Sequence, residues 1–144
     1  MSNERFELSA TVHLVLIENK RILMQRRYNT GFEDGNYSLI AGHINGNETF
    51  REAMVREAKE EAGIFIHTDD LQVIHLLHRK KPIEKIDTFL YTTKWLGTPT
   101  IIETDKADDL HWFDLDNLPE NTVEYIRWAI NQIAKKIFYS EFGW

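Results

Sequence analysis

The chain has 144 residues, 42% of them hydrophobic and 28% charged, the proportions of an ordinary globular protein with enough apolar material for one core. It has no cysteine, which excludes disulfides, thiolate metal sites and cysteine nucleophiles. Acidic residues outnumber basic ones by 23 to 17, a formal charge of -6. That is the reverse of what a protein tracking a long nucleic acid shows, although a bound divalent cation would still admit a small anionic substrate.

Taken in order, Phe6, Leu8, Ala10, Val12 and Leu14 alternate with more polar neighbours and lead into Val15, Leu16 and Ile17, which predicts a long strand over residues 5–17. Glu18, Asn19 and Lys20 form a turn, and Arg21 to Arg27 a second strand paired with the first as a hairpin. Residues 28–37, rich in Gly, Asn and Asp, read as a loop, followed by a short strand at Ser38, Leu39 and Ile40. Thr49 with Glu52 is a capping-box pattern, and Gly63 is placed to stop the helix between them. Ile64, Phe65 and Ile66 start a further short extended segment. Val73 to His78 and Ile86 to Trp95 read as strands around a charged turn. A loop from Thr98 to Asp109 then precedes a short extended piece at His111, Trp112 and Phe113. Val123, Ile126, Ile130 and Ile137 recur at helical spacing, with Asn121 and Glu124 placed to cap that helix. The aromatic tail FYSEFGW either packs back on the body or serves a subunit contact, the first being favoured. This order predicts one α/β domain over residues 1–144, a sandwich with a mixed sheet covered on both faces.

On a helical wheel, Phe50, Met54 and Ala58 form the buried stripe, and Glu57, Glu60 and Glu61 border it beside the small Ala53. Like charges at this spacing cost a helix a few tenths of a kcal/mol per pair, roughly. An oxygen-rich cluster is what Mg²⁺ or Mn²⁺ requires. A solvated acidic face is the competing reading of the three glutamates taken alone.

The wider pattern decides between them. Gly42, Glu48 and then Arg56, Glu57, Ala58, Lys59, Glu60, Glu61, Ala62, Gly63 and Ile64 resemble the complete Nudix hydrolase signature, and the surrounding elements resemble the rest of a Nudix domain. The resemblance implies that Glu57, Glu60 and Glu61 coordinate divalent cations engaging a diphosphate, with Glu57 as the candidate to activate water. It further implies that Arg56 orients these carboxylates, that Gly42 lets the backbone approach the metal and phosphates, and that Glu48 supports the helix entry. A further acidic ligand from a distant loop falls to Glu103, with Asp105 in reserve. Two local departures stand out. Ile40 occupies a position where relatives carry proline, and Asn45, Gly46 and Asn47 replace a more acidic turn.

The activity implied is metal-dependent hydrolysis of a nucleotide pyrophosphate linkage, with a MutT-like nucleoside triphosphate pyrophosphatase first. An ADP-ribose or CDP-choline type hydrolase, a catalytically weak nucleotide-binding module and an RNA-end hydrolase are the alternatives, the last disfavoured by the acidic balance. No G-x-S-x-G occurs, so no serine nucleophile is expected. Arg26 or Arg27 is a candidate phosphate clamp, against a solvated strand end. Tyr125 is a candidate for the base pocket. Trp112 and Phe113 are read as core before base-stacking residues, and the six histidines show no zinc spacing. With no secretory pattern and no spanning stretch, a cytoplasmic monomer or homodimer acting on a small nucleotide, without membrane partner, is expected.

Overall fold

The structure, a computed structural model, describes residues 4–144. Strand β1 (Ser9–Glu18) is central because it is apolar on both faces. Its partners are β2 (Arg21–Arg27) and β4 (Ala41–His43), both antiparallel, and β6 (Lys85–Thr92), which is parallel. Beyond β6 lie β5 (Gln72–Arg79) and, parallel to it, β8 (Tyr139–Phe142). On the other side β2 carries β3 (Tyr37–Ser38) and β7 (Ala107–Asp114). The main path is β3-β2-β1-β6-β5-β8, a mixed sheet with helix α1 (Phe50–Ala62) and helix α2 (Glu124–Ala134) packed in separate cores.

The period of two along β1 sorts those cores. Val12, Leu14 and Leu16 pack with Ala53, Met54, Ala58 and Ala62 of α1. Val15 packs with Ile22, Leu77 and Phe89 beneath Ile126, Ala129 and Ile130 of α2. Ile40 is fully buried against the α1 side, so the residue that stands in place of a proline supplies core volume.

The box helix is as its sequence predicts. Thr49 accepts from the Glu52 amide at 3.1 Å while the Glu52 carboxylate accepts from the Thr49 amide at 2.8 Å. Gly63 ends the helix in the left-handed region at φ 67°. The expected hairpin exists only at its tip, where Ile17 meets Ile22 and Glu18 meets Arg21. Beyond that the strands part, because β1 is taken up by β4 and β6.

Other expectations need correction. The first strand begins at Ser9, not residue 5, and Phe6 is 70% exposed, so its alternation with Leu8 marks no buried face. Residues 37–43 form two short strands in place of one. The loop before β7 ends at Lys106, and β7 extends well beyond the three residues anticipated. Helix α2 has no side-chain cap, because Asn121 donates instead to the Gly35 carbonyl at 2.7 Å. That helix also stops at Ala134, so Ile137 lies beyond it. The tail does pack back on the body, as β8 and through Trp144, whose indole N–H donates to the His78 carbonyl at 3.0 Å. Among the described residues no helix is long and apolar enough to cross a membrane.

A methyl group at position 63 would stand 3.1 Å from Ile102 Cδ1 on a backbone already at positive φ. Gly63→Ala should therefore lower unfolding free energy by about 1–2 kcal/mol, read as a shifted denaturant midpoint at constant slope.

Candidate active site

Gly42 lies in strand β4 and not in the turn the sequence suggests, and that strand and the inner face of α1 are built against each other. A Cβ at position 42 would overlap the carboxylate of Glu57, so only glycine leaves that carboxylate its place. Glu57 is buried, Glu61 is partly buried, and the Glu60 side chain is 54% exposed. The wheel sets all three beside the buried stripe; the structure separates them, with Glu57 and Glu61 inward and Glu60 at the outer edge.

Arg56 ties the end of β4 and the loop after it to the helix. Its Nε and Nη2 donate to the two oxygens of Glu48 at 3.1 and 2.8 Å. Its Nη1 donates to Glu57 Oε1 at 2.8 Å and more weakly to Glu60 Oε2 at 3.4 Å. Nη2 also reaches the His43 carbonyl at 3.1 Å. Glu48 further accepts from the Asn45 amide at 2.6 Å, which closes the Asn-Gly-Asn turn.

Glu61 has neutral partners only: the Ala41 amide at 3.2 Å and the Gln25 side-chain amide at 3.4 Å. Burial, together with the charge of Glu57, pushes its carboxyl up to about 8. Burial also raises Glu57, against the pull of Arg56. Glu103 approaches from the loop before β7, bonded to Lys106 at 3.2 Å, and its charge bears on both Glu57 and Glu61. Among the described residues no three carboxylate or imidazole groups converge as a finished metal-ligand set. The donors nevertheless suit a hard divalent cation. They are carboxylate oxygens, two are held at a desolvation cost, and one of those lacks a positive partner.

From Gly42 and Glu61 a cavity of about 620 Å³ extends over the sheet to Tyr125. Arg27, Phe32 and Asp105 line it; Arg26, Trp112 and Phe113 do not. Arg26 is held by Asp108 at 2.7 Å, outside the cavity. Arg27 donates to the Phe32 carbonyl at 2.6 Å and to Thr30 at 3.1 Å, bracing the loop over the cavity mouth. Trp112 stacks on Trp95, and Phe113 meets Tyr37 edge to face, both as packing residues.

The floor holds groups that sequence reading passed over. Asp87 is fully buried and accepts from Thr11 at 2.6 Å and from Arg79 at 2.7 and 3.2 Å, with His13 Nε2 at 3.3 Å. Arg79 lies with its guanidinium 3.8 Å from the centre of the Tyr125 ring. Burial pushes the Tyr125 hydroxyl up to about 12. The register accounts for this cluster: Thr11 pairs with His43 on one side and with Asp87 on the other. The available signal was the run of polar residues, Thr11, His13 and Asp87, inside otherwise apolar strands.

A model of the NUDIX domain matches residues 7–132, and the chain belongs to that family. The chain is 27% identical over 121 residues to an ADP-ribose pyrophosphatase of Methanocaldococcus jannaschii, a match covering 79% of this chain and 70% of that one. It is 24% identical over 112 residues to the NAD-capped RNA hydrolase NudC of Stutzerimonas stutzeri, covering 78% of this chain but only 38% of the relative's length. In fold it is similar to the crystal structure of a MutT NUDIX hydrolase from Burkholderia pseudomallei, with a TM-score of 0.80 and 23% identity over 88% of this chain and 98% of that one.

Two outcomes follow from the geometry. Gly42→Ala should displace the Glu57 carboxylate and reduce turnover by about a hundredfold, with the fold retained by circular dichroism. For Asp87, burial works to raise the carboxyl, but His13 and Arg79 outweigh it and hold it well below its ordinary 3.8. A carboxylate depressed in the folded state gives stability that is present above its unfolded value and lost as pH falls through the folded one. The thermal midpoint should therefore drop as pH is taken below about 4, and drop less in Asp87→Asn, which lacks that contribution from the start.

Proposed function

We propose that this chain hydrolyses the pyrophosphate linkage of a nucleoside triphosphate, with Mg²⁺ or Mn²⁺ held by Glu57, Glu60 and Glu61 beside Gly42 and with Glu103 as a further ligand. The observation that carries the reading is the continuity of the site. One cavity of about 620 Å³, ample for a nucleotide, runs from Gly42 and Glu61, the inner edge of the carboxylate cluster, to an aromatic end at Tyr125 and Phe32.

Bound there, such a cation would supply Lewis-acid charge to phosphoryl oxygens and lower the pKa of a water molecule. The chain's own groups supply position. Arg56 fixes Glu57 against Gly42 and neutralises part of the repulsion among the glutamates. Glu57 takes the proton of the attacking water. Phe32 and Tyr125 shelter the rest of the nucleotide, and Arg27 keeps the covering loop in place. No covalent intermediate on the protein is required.

The ADP-ribose type reaction is the second reading, favoured by the relative from Methanocaldococcus jannaschii. Products separate the two: a triphosphate yields nucleoside monophosphate and pyrophosphate, whereas ADP-ribose yields AMP and a phosphorylated sugar.

A substrate panel with the parent and Glu61→Gln tests the reading. The variant should lose about a hundredfold or more in kcat. Because burial pushes the Glu61 carboxyl up to about 8, it is largely neutral at about pH 7 without metal, and glutamine keeps its shape, so the metal-free thermal midpoint should not fall. Undiminished turnover in Glu61→Gln would rule out the carboxylate assignment. Tight nucleotide binding by a parent that turns over nothing would identify a binding module.

A further inference from the structure

The cavity contains a cation that, among the described residues, forms no ion pair. Lys85 opens β6, and the alternation of that strand places it on the same face as Asp87 and Phe89, towards the cavity. Its ammonium donates to His43 Nε2 at 2.7 Å. An ammonium has no acceptor, so that nitrogen must present its lone pair, and the imidazole is neutral with its proton on Nδ1. His43 in turn follows directly on Gly42, and its carbonyl is held by Arg56. Lys85 is thereby fixed beside β4 with two N–H groups to spare.

Among the described residues Lys85 makes no ion pair. The neighbouring carboxylate, Asp87, is already engaged by Thr11, Arg79 and His13. The other cations of the cavity are committed: Arg79 to Asp87 and the Lys81 carbonyl, Arg27 to its loop, and Lys106 to Glu103. Burial and the charge of Arg79 disfavour the charged form of Lys85 and together outweigh the favourable charge of Asp87. A half-buried ammonium on a cavity wall, positioned by a neutral imidazole and repelled by a guanidinium, is completed by an anion from outside.

We infer that Lys85, positioned by His43, is the phosphate-binding cation of this cavity and contacts a non-bridging oxygen of the substrate's phosphate chain. The inference rests on the proposed reaction for the identity of that chain, but it has its own measurement.

Binding of inorganic pyrophosphate is measured calorimetrically in the presence of a chelator, for the parent, Lys85→Met and Lys85→Arg. Loss of a charged hydrogen bond should weaken binding in Lys85→Met by about tenfold or more, while Lys85→Arg stays within about threefold of the parent. With substrate and metal present, the loss in Lys85→Met should fall mainly on KM. Equal pyrophosphate affinity in parent and Lys85→Met, both folded by circular dichroism, overturns the inference, as does failure of the parent to bind pyrophosphate without metal. A parent that binds pyrophosphate through Lys85 yet hydrolyses no nucleotide leaves the anion site standing and removes the proposed reaction. Nucleotide hydrolysis with pyrophosphate binding independent of Lys85 does the reverse.

Discussion

The guanidinium of Arg56 is the contact on which the rest of the site depends. It lies between a strand that belongs to the sheet and a helix that belongs to the layer above it. Its donors are spread over Glu48, Glu57, Glu60 and the His43 carbonyl. Without it, three glutamates along one side of a short helix would repel one another, and Gly42 would face a carboxylate with no fixed position. Planar, multidentate donation suits arginine here, since a lysine ammonium offers one compact centre and could not span the same four acceptors.

The sheet divides its labour by register. Even-numbered positions of β1 from Val12 to Leu16 make the core under α1, and odd-numbered ones face α2. On that second face the apolar pattern lapses at Thr11 and His13, near one end of the strand, and the cavity opens over the lapse. Burying Asp87 and Arg79 there carries a desolvation cost that a hydrophobic pair would avoid. What the arrangement provides is a polar floor of fixed shape, in which each strong donor faces the carboxylate and the aromatic ring of Tyr125 covers the guanidinium.

Legibility in the sequence followed the range of the interactions. The box helix, its capping box and its glycine stop depend on neighbours within a few residues, and all were readable. The wheel placed all three glutamates beside the core stripe but did not separate the inward Glu57 and Glu61 from the exposed Glu60. Local patterns misled where partners decide: Phe6 and Leu8 alternate like a strand but meet no strand, and Asn121 resembles a cap but spends its amide on Gly35. The cavity floor left only a hint, the polar Thr11, His13 and Asp87 inside otherwise apolar strands, and its contacts were not legible. His13 and Asp87 are 74 residues apart and meet only through the parallel pairing of β1 with β6. Lys85 and His43, 42 residues apart, meet because each lies on a strand flanking β1. Nothing in composition or periodicity specifies which strand adds to a central one in parallel.

That difference in range also bears on the order in which the parts can form. The box helix is capped by its own residues and can be sampled early. The far wall of the cavity waits for the tail: β8 pairs Phe142 with Arg79, and the Lys80 amide donates to the Phe142 carbonyl at 3.0 Å, next to the Pro82 and Ile83 that line the cavity. Closing so long a loop is entropically expensive and slow compared with winding a helix. The carboxylate-bearing helix can therefore form on a chain whose cavity wall is not yet in place. The wall at Pro82 and Ile83 is backed by β8, so the cavity's shape depends on longer-range contacts than the acidic cluster does.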